Sequence, residues 1–221
     1  MTSAVPIRIR ARFRVPPSLL LSGLVVLAGC GSLLPAPPAQ PARFLLDDMP
    51  TISAEKPARQ ALASTVSTLV VDEPRAAAGY RTRQIAYVRT PNQLEYFAFN
   101  QWVEPPALML APLLARAIER TGAFRAVLRA PTSAAGDLHL ESELVRLQQD
   151  FSGTPSRVRL TVRAVLIETS TRRELASREF DAEVVSASDD PTGGVTAANQ
   201  VAHRVAGEVG AFCAEWVANR R

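Results

Sequence analysis

Two histidines, His139 and His203, are the side chains of this chain best suited to acid–base chemistry. His139 alternates with apolar residues on a predicted strand, and His203 lies beside the apolar stripe of a predicted helix, so both are expected to be exposed to solvent. The sequence has no nucleophile elbow, phosphate-binding loop, zinc-protease motif or dinucleotide fingerprint that would give either histidine a catalytic partner. We therefore predict no catalytic residues and a protein that is not an enzyme.

The run Asp189-Asp190-Pro191-Thr192-Gly193-Gly194 gathers oxygen ligands, as a calcium loop does. It lacks the alternating ligands and the terminal glutamate of the known calcium-binding loop. Aspartate followed by proline and glycine is typical of a turn and of a helix N-cap, and this is the interpretation we favour. Because no cysteine pair has zinc-ligand spacing either, we predict no metal site and no cofactor.

Cys30 is the residue with the strongest chemical signal, because Leu27-Ala28-Gly29-Cys30 resembles the bacterial lipobox. A basic stretch over residues 8–14 and an apolar run over 18–28 precede it, which is the pattern of a secretory signal. That run is too short to cross a bilayer, which takes about 20 helical residues. The resemblance implies a signal peptide over 1–29 and a Cys30 carrying a diacylglycerol and a fatty acyl chain such as palmitate. The alternative is an ordinary secretory signal with an incidental cysteine.

Residues 30–42 are predicted to be the lipidated cysteine and a tether, because 31–42 contain four prolines and no charge. An extended polyproline segment of that length reaches up to about 37 Å. By resemblance to bacterial lipoprotein sorting signals, glycine rather than aspartate at position 31 implies the periplasmic face of the outer membrane and not retention in the inner membrane. With Cys30 acylated, Cys213 has no disulfide partner, and its place on an apolar helical stripe predicts a buried thiol.

Residues 43–221 are predicted to form one folded domain. The chain of 221 residues is 47% hydrophobic and 21% charged, which excludes a disordered or multi-span membrane protein. The net charge of +4 comes from four arginines within residues 1–29, which leaves 21 basic and 21 acidic residues in the remainder. A domain without surplus positive charge is not expected to bind nucleic acid.

Hydrophobic periodicity predicts the elements of this domain. Seven runs have the pattern of strands: residues 44–46, 65–71, 84–89, 93–99, 138–144, 157–166 and 180–184. A helix is expected from Pro105 and Pro106 to Thr121, ended by Gly122, and a second long helix after a loop over 186–194. Residues 51–64 fit neither pattern. The fold class is therefore α/β, a single domain with a mixed, mostly antiparallel sheet and two main flanking helices.

The last three predicted strands form an antiparallel meander with one buried face. A turn centred near Thr171 would place Arg163 opposite Glu179 and Arg159 opposite Glu183 on the exposed face, so the arginines are answered by acids of their own sheet.

Half of the aromatic residues of the predicted domain fall within 23 positions, and three of them, Tyr87, Tyr96 and Trp102, are a candidate partner surface. The core of the predicted hairpin and helix start explains them equally well, and both interpretations stay open.

Four segments in order resemble the ABC-type transport auxiliary lipoprotein family: Tyr80–Arg89, Leu94-Glu95-Tyr96, Asn100–Pro105, and Gly122-Ala123-Phe124 after a leucine-rich helix. The resemblance implies a fold like the amino-terminal α/β module of TolB. It also implies a non-enzymatic, membrane-anchored component of an intermembrane lipid transport system. Such a protein works beside an ABC permease and ATPase and docks or stabilises a periplasmic MCE-domain protein at the outer membrane.

Assembly into a homo-oligomer is a further expectation from this resemblance. The alternative function is a TolB-like envelope-assembly lipoprotein that binds a peptidoglycan synthase or a secretion pore.

Overall fold

The computed structural model describes residues 40–47 and 67–219. These contain one sheet of nine strands, β1 Ala42–Phe44, β2 Thr68–Val71, β3 Arg75–Ala76, β4 Gln84–Val88, β5 Leu94–Trp102, β6 Ala126–Arg129, β7 Leu138–Asp150, β8 Arg157–Glu168 and β9 Glu174–Val185. The helices are α1 Pro106–Thr121 and α2 Pro191–Ala218, with a short 3-10 turn over Ala78–Tyr80. The predicted signal peptide, Cys30, most of the tether and the ambiguous segment 51–64 lie outside the described residues.

Strand β7 is the axis of the sheet. On one side it pairs antiparallel with β8 along nearly its whole length, and β8 pairs antiparallel with β9. On the other side it pairs in parallel with β2, β3 and β4, one after another along its length. Strand β6 extends the sheet beyond β2, and β5 followed by β1 extends it beyond β4. The longest pairings are antiparallel, so the predicted mixed, mostly antiparallel α/β domain is confirmed.

The register of β8 and β9 is also the predicted one, with Arg163 opposite Glu179 and Arg159 opposite Glu183. The apolar residues of β8 at alternate positions are all buried, whereas the arginines between them face the other side of the sheet. Strict period-2 alternation fixes this register, because a slip by one residue would exchange the buried and exposed faces.

Helix α1 begins with Pro106 and ends at Gly122, whose φ of 66° is the left-handed conformation that terminates helices, as predicted. Helix α2 begins earlier than predicted, because the loop ends at Asp190 and not at Gly194. The Asp190 carboxylate accepts a hydrogen bond from the Gly193 backbone N–H at 2.8 Å, and Pro191 occupies the first helical position. These two start signals outweigh the low helix propensity of the glycines.

Both helices pack on the same face of the sheet and share one hydrophobic core with it. Helix α1 buries its whole predicted stripe, namely Leu110, Leu113, Leu114, Ala117 and Ile118. Helix α2 buries its stripe from Ala198 to Phe212, and Trp216 packs at the border of the core. The opposite face of the sheet, formed by β7, β8 and β9, carries polar and charged side chains and is not covered by these helices.

The strand predictions need correction. Strands β7 and β9 are longer than predicted, at Leu138–Asp150 and Glu174–Val185. The first strand covers Ala42–Phe44 and not 44–46, because Leu46 turns inward beside Met109 while Leu45 stays exposed. Strands β3 and β6 were not predicted from the sequence. They have two and four residues, too few to establish a periodicity.

Candidate functional site

The two histidines have hydrogen-bond partners and are partly buried, so the expectation that both are solvent-exposed is wrong. His139 Nδ1 lies 3.1 Å from Asp72 Oδ1, across the parallel pairing of β2 and β7. His203 Nε2 lies 2.9 Å from the backbone oxygen of Asp47. Sequence periodicity could not find Asp72 or Asp47 as partners, because both lie far from the histidines along the chain.

Within residues 40–47 and 67–219, no group of histidine, cysteine, aspartate or glutamate side chains could hold a metal ion. The Asp189-Asp190 run serves the helix start, with Asp190 as N-cap and with Asp189 Oδ1 accepting from the Ser156 N–H at 2.6 Å. These backbone hydrogen bonds lower the pKa of both carboxyls. The predicted turn and N-cap are confirmed.

Cys213 is a buried thiol, as predicted. Burial raises its pKa to about 12, so the nucleophilic thiolate is scarcely populated at neutral pH. The side chain acts as a small apolar residue of helix α2.

The three aromatic residues of the candidate partner surface are all at least half-buried and do not form one exposed surface. Trp102 is only 3% exposed and belongs to the core. Tyr87 is buried as well; its hydroxyl donates to Glu95 at 2.9 Å, and this hydrogen bond raises the pKa of Tyr87. Tyr96 is half-buried and donates to the backbone oxygen of Gly79 at 3.0 Å, which fastens the 3-10 turn to β5. The exposed aromatic residue of this region is Phe99, at 63%.

Tyr87 stands in a small aromatic cluster with Phe97 and Phe151. The ring centroids of Tyr87 and Phe97 are 4.5 Å apart, and Phe151 meets Tyr87 edge-on at 5.8 Å. These contacts join the β4–β5 hairpin to the end of β7. Several of the aromatic residues concentrated in this segment therefore pack within the domain.

The face of the sheet that the helices leave uncovered carries both acidic and basic side chains. Arg159 Nε donates to Asp181 Oδ1 at 2.9 Å, and the Thr161 hydroxyl donates to the same oxygen at 2.6 Å. These hydrogen bonds, led by that from Arg159, lower the pKa of Asp181 to about 2. A polar groove of about 500 Å³ lies beside them, between the β4–β5 turn and the ends of β7 and β8. Because acids and bases alternate, this face has no net attraction for an anion.

A buried cluster of hydrogen-bonded polar groups lies where β7, β8, β9 and α2 meet. Gln149 is 2% exposed, and its amide Nε2 donates to the Ser156 hydroxyl at 2.9 Å and to the Asp190 backbone oxygen at 3.3 Å. Its Oε1 has no hydrogen-bond partner among the described residues and faces Gly194. This polar cluster fixes the start of helix α2 to the sheet, and none of its groups is reactive.

The sequence model of the ABC-type transport auxiliary lipoprotein component matches residues 51–210. The chain belongs to this family. No curated protein matches the chain.

Two solved structures share the fold of this auxiliary lipoprotein. Protein XCC0632 from Xanthomonas campestris, assigned to DUF330, is 26% identical with a TM-score of 0.65, over 70% of this chain and 87% of its own. An uncharacterized protein is 13% identical with a TM-score of 0.60, over 79% of this chain and 99% of its own. The mixed α/β domain is therefore the fold of the family.

Family membership makes the protein an auxiliary lipoprotein of ABC-type transport. None of its described helices is both long enough and apolar enough to span a bilayer. Membership of a lipoprotein family indicates a membrane-anchored protein.

Proposed function

We propose that this auxiliary lipoprotein is a non-enzymatic component of an intermembrane lipid transport system that docks or stabilises a periplasmic MCE-domain protein at the outer membrane. The observation that carries the proposal is that the sequence model of the ABC-type transport auxiliary lipoprotein component matches residues 51–210. The partners are the MCE-domain protein and the ABC permease and ATPase that energise transport.

The side chains of the described domain support a docking role over a catalytic one. The half-buried His139 is held by Asp72, and the thiol of Cys213 is buried inside helix α2. Neither residue is placed as an accessible nucleophile or general base. A rigid sheet backed by two helices is suited to hold a partner in place, because it presents fixed surfaces at little entropic cost.

Attachment of Cys30 to lipid would fix the domain at the membrane, and the proline-rich tether would let it stand clear of the headgroups. Three acyl chains are expected to anchor the protein permanently, since two already give stable binding. Gly31 supports the outer membrane as the destination. We also propose assembly into a homo-oligomer, which would be detected by native mass spectrometry of the purified protein as a mass that is a multiple of the chain.

The test of the transport role is affinity purification of the tagged full-length protein in mild detergent, starting from inner and outer membranes separated on a density gradient. An unrelated tagged lipoprotein of the same membrane is the control. We expect the outer-membrane sample to yield an MCE-domain protein with its permease and ATPase, identified by mass spectrometry. Recovery of wall-synthesis or secretion proteins instead would replace the transport role by the envelope-assembly role.

A further inference from the structure

The described domain exposes three large apolar side chains, and two of them lie on one edge of the sheet. Phe99 of β5 is 63% exposed, and Leu45, directly after β1, is 53% exposed. The exposed residues Ala98 and Arg43 lie beside them on the same two strands. We call Arg43, Leu45, Ala98 and Phe99 the β1/β5 edge patch. The third residue, Val185, lies at the end of β9 on a different edge.

An irregularity of β5 exposes Phe99. Ala86 of β4 lies opposite Tyr96, whereas Gln84 lies opposite Gln101, so β5 has extra residues between these two pairs. Extra residues of this kind form a bulge, which bends a strand and redirects its side chains. Phe97, at the start of this stretch, packs on Tyr87, whereas Phe99, two residues later, points away from the core.

The outer edge of β5 is also incompletely paired. Strand β1 covers only its last three residues, from Asn100 to Trp102. Pro41 stands just before β1 and has no N–H to extend the ladder. Among the described residues, no strand pairs with the outer side of β5 from Leu94 to Phe99.

The other long edge of the sheet is built differently. Strand β9 carries four acidic residues, Glu174, Glu179, Asp181 and Glu183. Arg204 of helix α2 donates to the backbone oxygen of Glu183 at 3.1 Å. Charged side chains on an edge strand keep it in water. The β1/β5 edge patch has one charged residue, Arg43, beside the exposed Leu45 and Phe99, so it has less of this protection.

The direction of the chain indicates what covers the patch. Strand β1 runs parallel to β5 with Ala42 beside Asn100, so Gln40 and Pro41 run beside Ala98 and Phe99. Cys30 stands only twelve positions before Ala42. The chain therefore enters the domain from its proposed lipid-bearing end next to Phe99.

We infer that the β1/β5 edge patch contacts the lipid surface to which Cys30 is attached, with Phe99 and Leu45 entering the headgroup layer. This inference rests on the proposed lipid anchor. A tether of about 37 Å at most keeps the patch close to the bilayer. The effective concentration of the patch at the lipid surface is then high, so even a weak contact is occupied much of the time. The contact is apolar rather than electrostatic, because three of the four exposed residues of the patch, Leu45, Ala98 and Phe99, are apolar.

The test places an environment-sensitive fluorophore beside Phe99 without removing it. The full-length lipidated protein with Ala98→Cys is labelled and reconstituted into vesicles of phosphatidylethanolamine and phosphatidylglycerol, with and without brominated acyl chains. The matched control carries the label at Glu179→Cys on β9. We expect a blue shift and quenching by brominated lipid at position 98 and neither at position 179. Equal behaviour at the two positions would overturn the inference.

A second variant tests the apolar side chains themselves. Adding Phe99→Ser and Leu45→Ser to the Ala98→Cys protein should return the fluorescence emission of the label to that seen in water. The variant should still float with the vesicles, because the lipid on Cys30 is unchanged. Unchanged quenching in this variant would contradict a contact through Phe99 and Leu45. Failure of the protein to float with vesicles at all would count against the anchor at Cys30, and hence against the proposed function, before the patch is considered.

Discussion

Gln149 shows how one buried polar residue constrains its neighbours. Its amide donates to Ser156 and Asp190, so the side chain has a fixed rotamer, and its Oε1 occupies the space where a β-carbon of Gly194 would stand. A side chain at position 194 would have to displace this oxygen or break the hydrogen bonds. Glycine is therefore required there by close approach and not by backbone conformation.

Gly194→Ala is accordingly expected to destabilise the domain by about 1–3 kcal/mol, the usual cost of overpacking a core. The matched control is Gly207→Ala in the same helix, because a β-carbon at Gly207 meets nothing within 4 Å. That change should stabilise by about 0.5–1 kcal/mol through helix propensity. Urea unfolding of both variants measures the difference. Similar stability of the two variants would mean that Gln149 is not held as described.

Asp181 is predicted to make stability dependent on acid pH. Its pKa is lowered to about 2 by Arg159, below the ordinary value of 3.8, so its stabilising contribution is present above pH 4 and is lost as the pH falls toward 2. The side chain is 36% exposed, and solvent screening reduces the contribution to about 1 kcal/mol. Asp181→Asn should therefore be less stable than the wild type at pH 6, with a smaller gap at pH 2.5. Glu179→Gln on the same strand is the control. A gap that does not depend on pH would contradict this role of Asp181.

At the scale of elements, the segment after β1 is held to helix α2 by Asn199 together with His203. Asn199 Oδ1 accepts from the Asp47 N–H at 2.7 Å, and its Nδ2 donates to the Leu45 oxygen at 3.1 Å, so the amide pairs with the chain much as a neighbouring strand would. Leu46 between them is buried beside Met109. These contacts fasten β1, which has only three residues of its own, to helix α2.

Asn199→Ala is expected to loosen this segment without unfolding the domain. Loss of the two hydrogen bonds should cost about 1–2 kcal/mol and speed amide exchange at Asp47 and in β1, while β7 and β8 keep their protection. Hydrogen–deuterium exchange followed by mass spectrometry measures this. The exposed neighbour Gln200→Ala should leave exchange unchanged, and equal exchange in the two variants would show that Asn199 is not the fastening residue.

Long elements of this fold could be predicted from the sequence, and short parallel ones could not. Strands β8 and β9 alternate strictly over most of their length, so the sequence determines both their existence and their register. Strands β3 and β6 are short, and they pair in parallel with strands far along the chain, which leaves no local signal. Aromatic density left two interpretations of Trp102 open, a partner surface or the core, and only the fold shows that it is buried.

At the scale of the whole molecule, the proposed lipid anchor gives the two cysteines different roles. Cys30→Ala is expected to move the protein from the membrane to the soluble periplasmic fraction with its fold intact, because the domain does not draw on Cys30 for a disulfide. The matched control is Cys213→Ala, which removes a buried thiol from helix α2 and should leave the protein in the membrane. Fractionation followed by a salt and carbonate wash measures location, and thermal unfolding of the released protein measures folding. Retention of the Cys30→Ala protein in washed membranes would contradict lipid anchoring, since a single apolar edge patch cannot match the hold of three acyl chains.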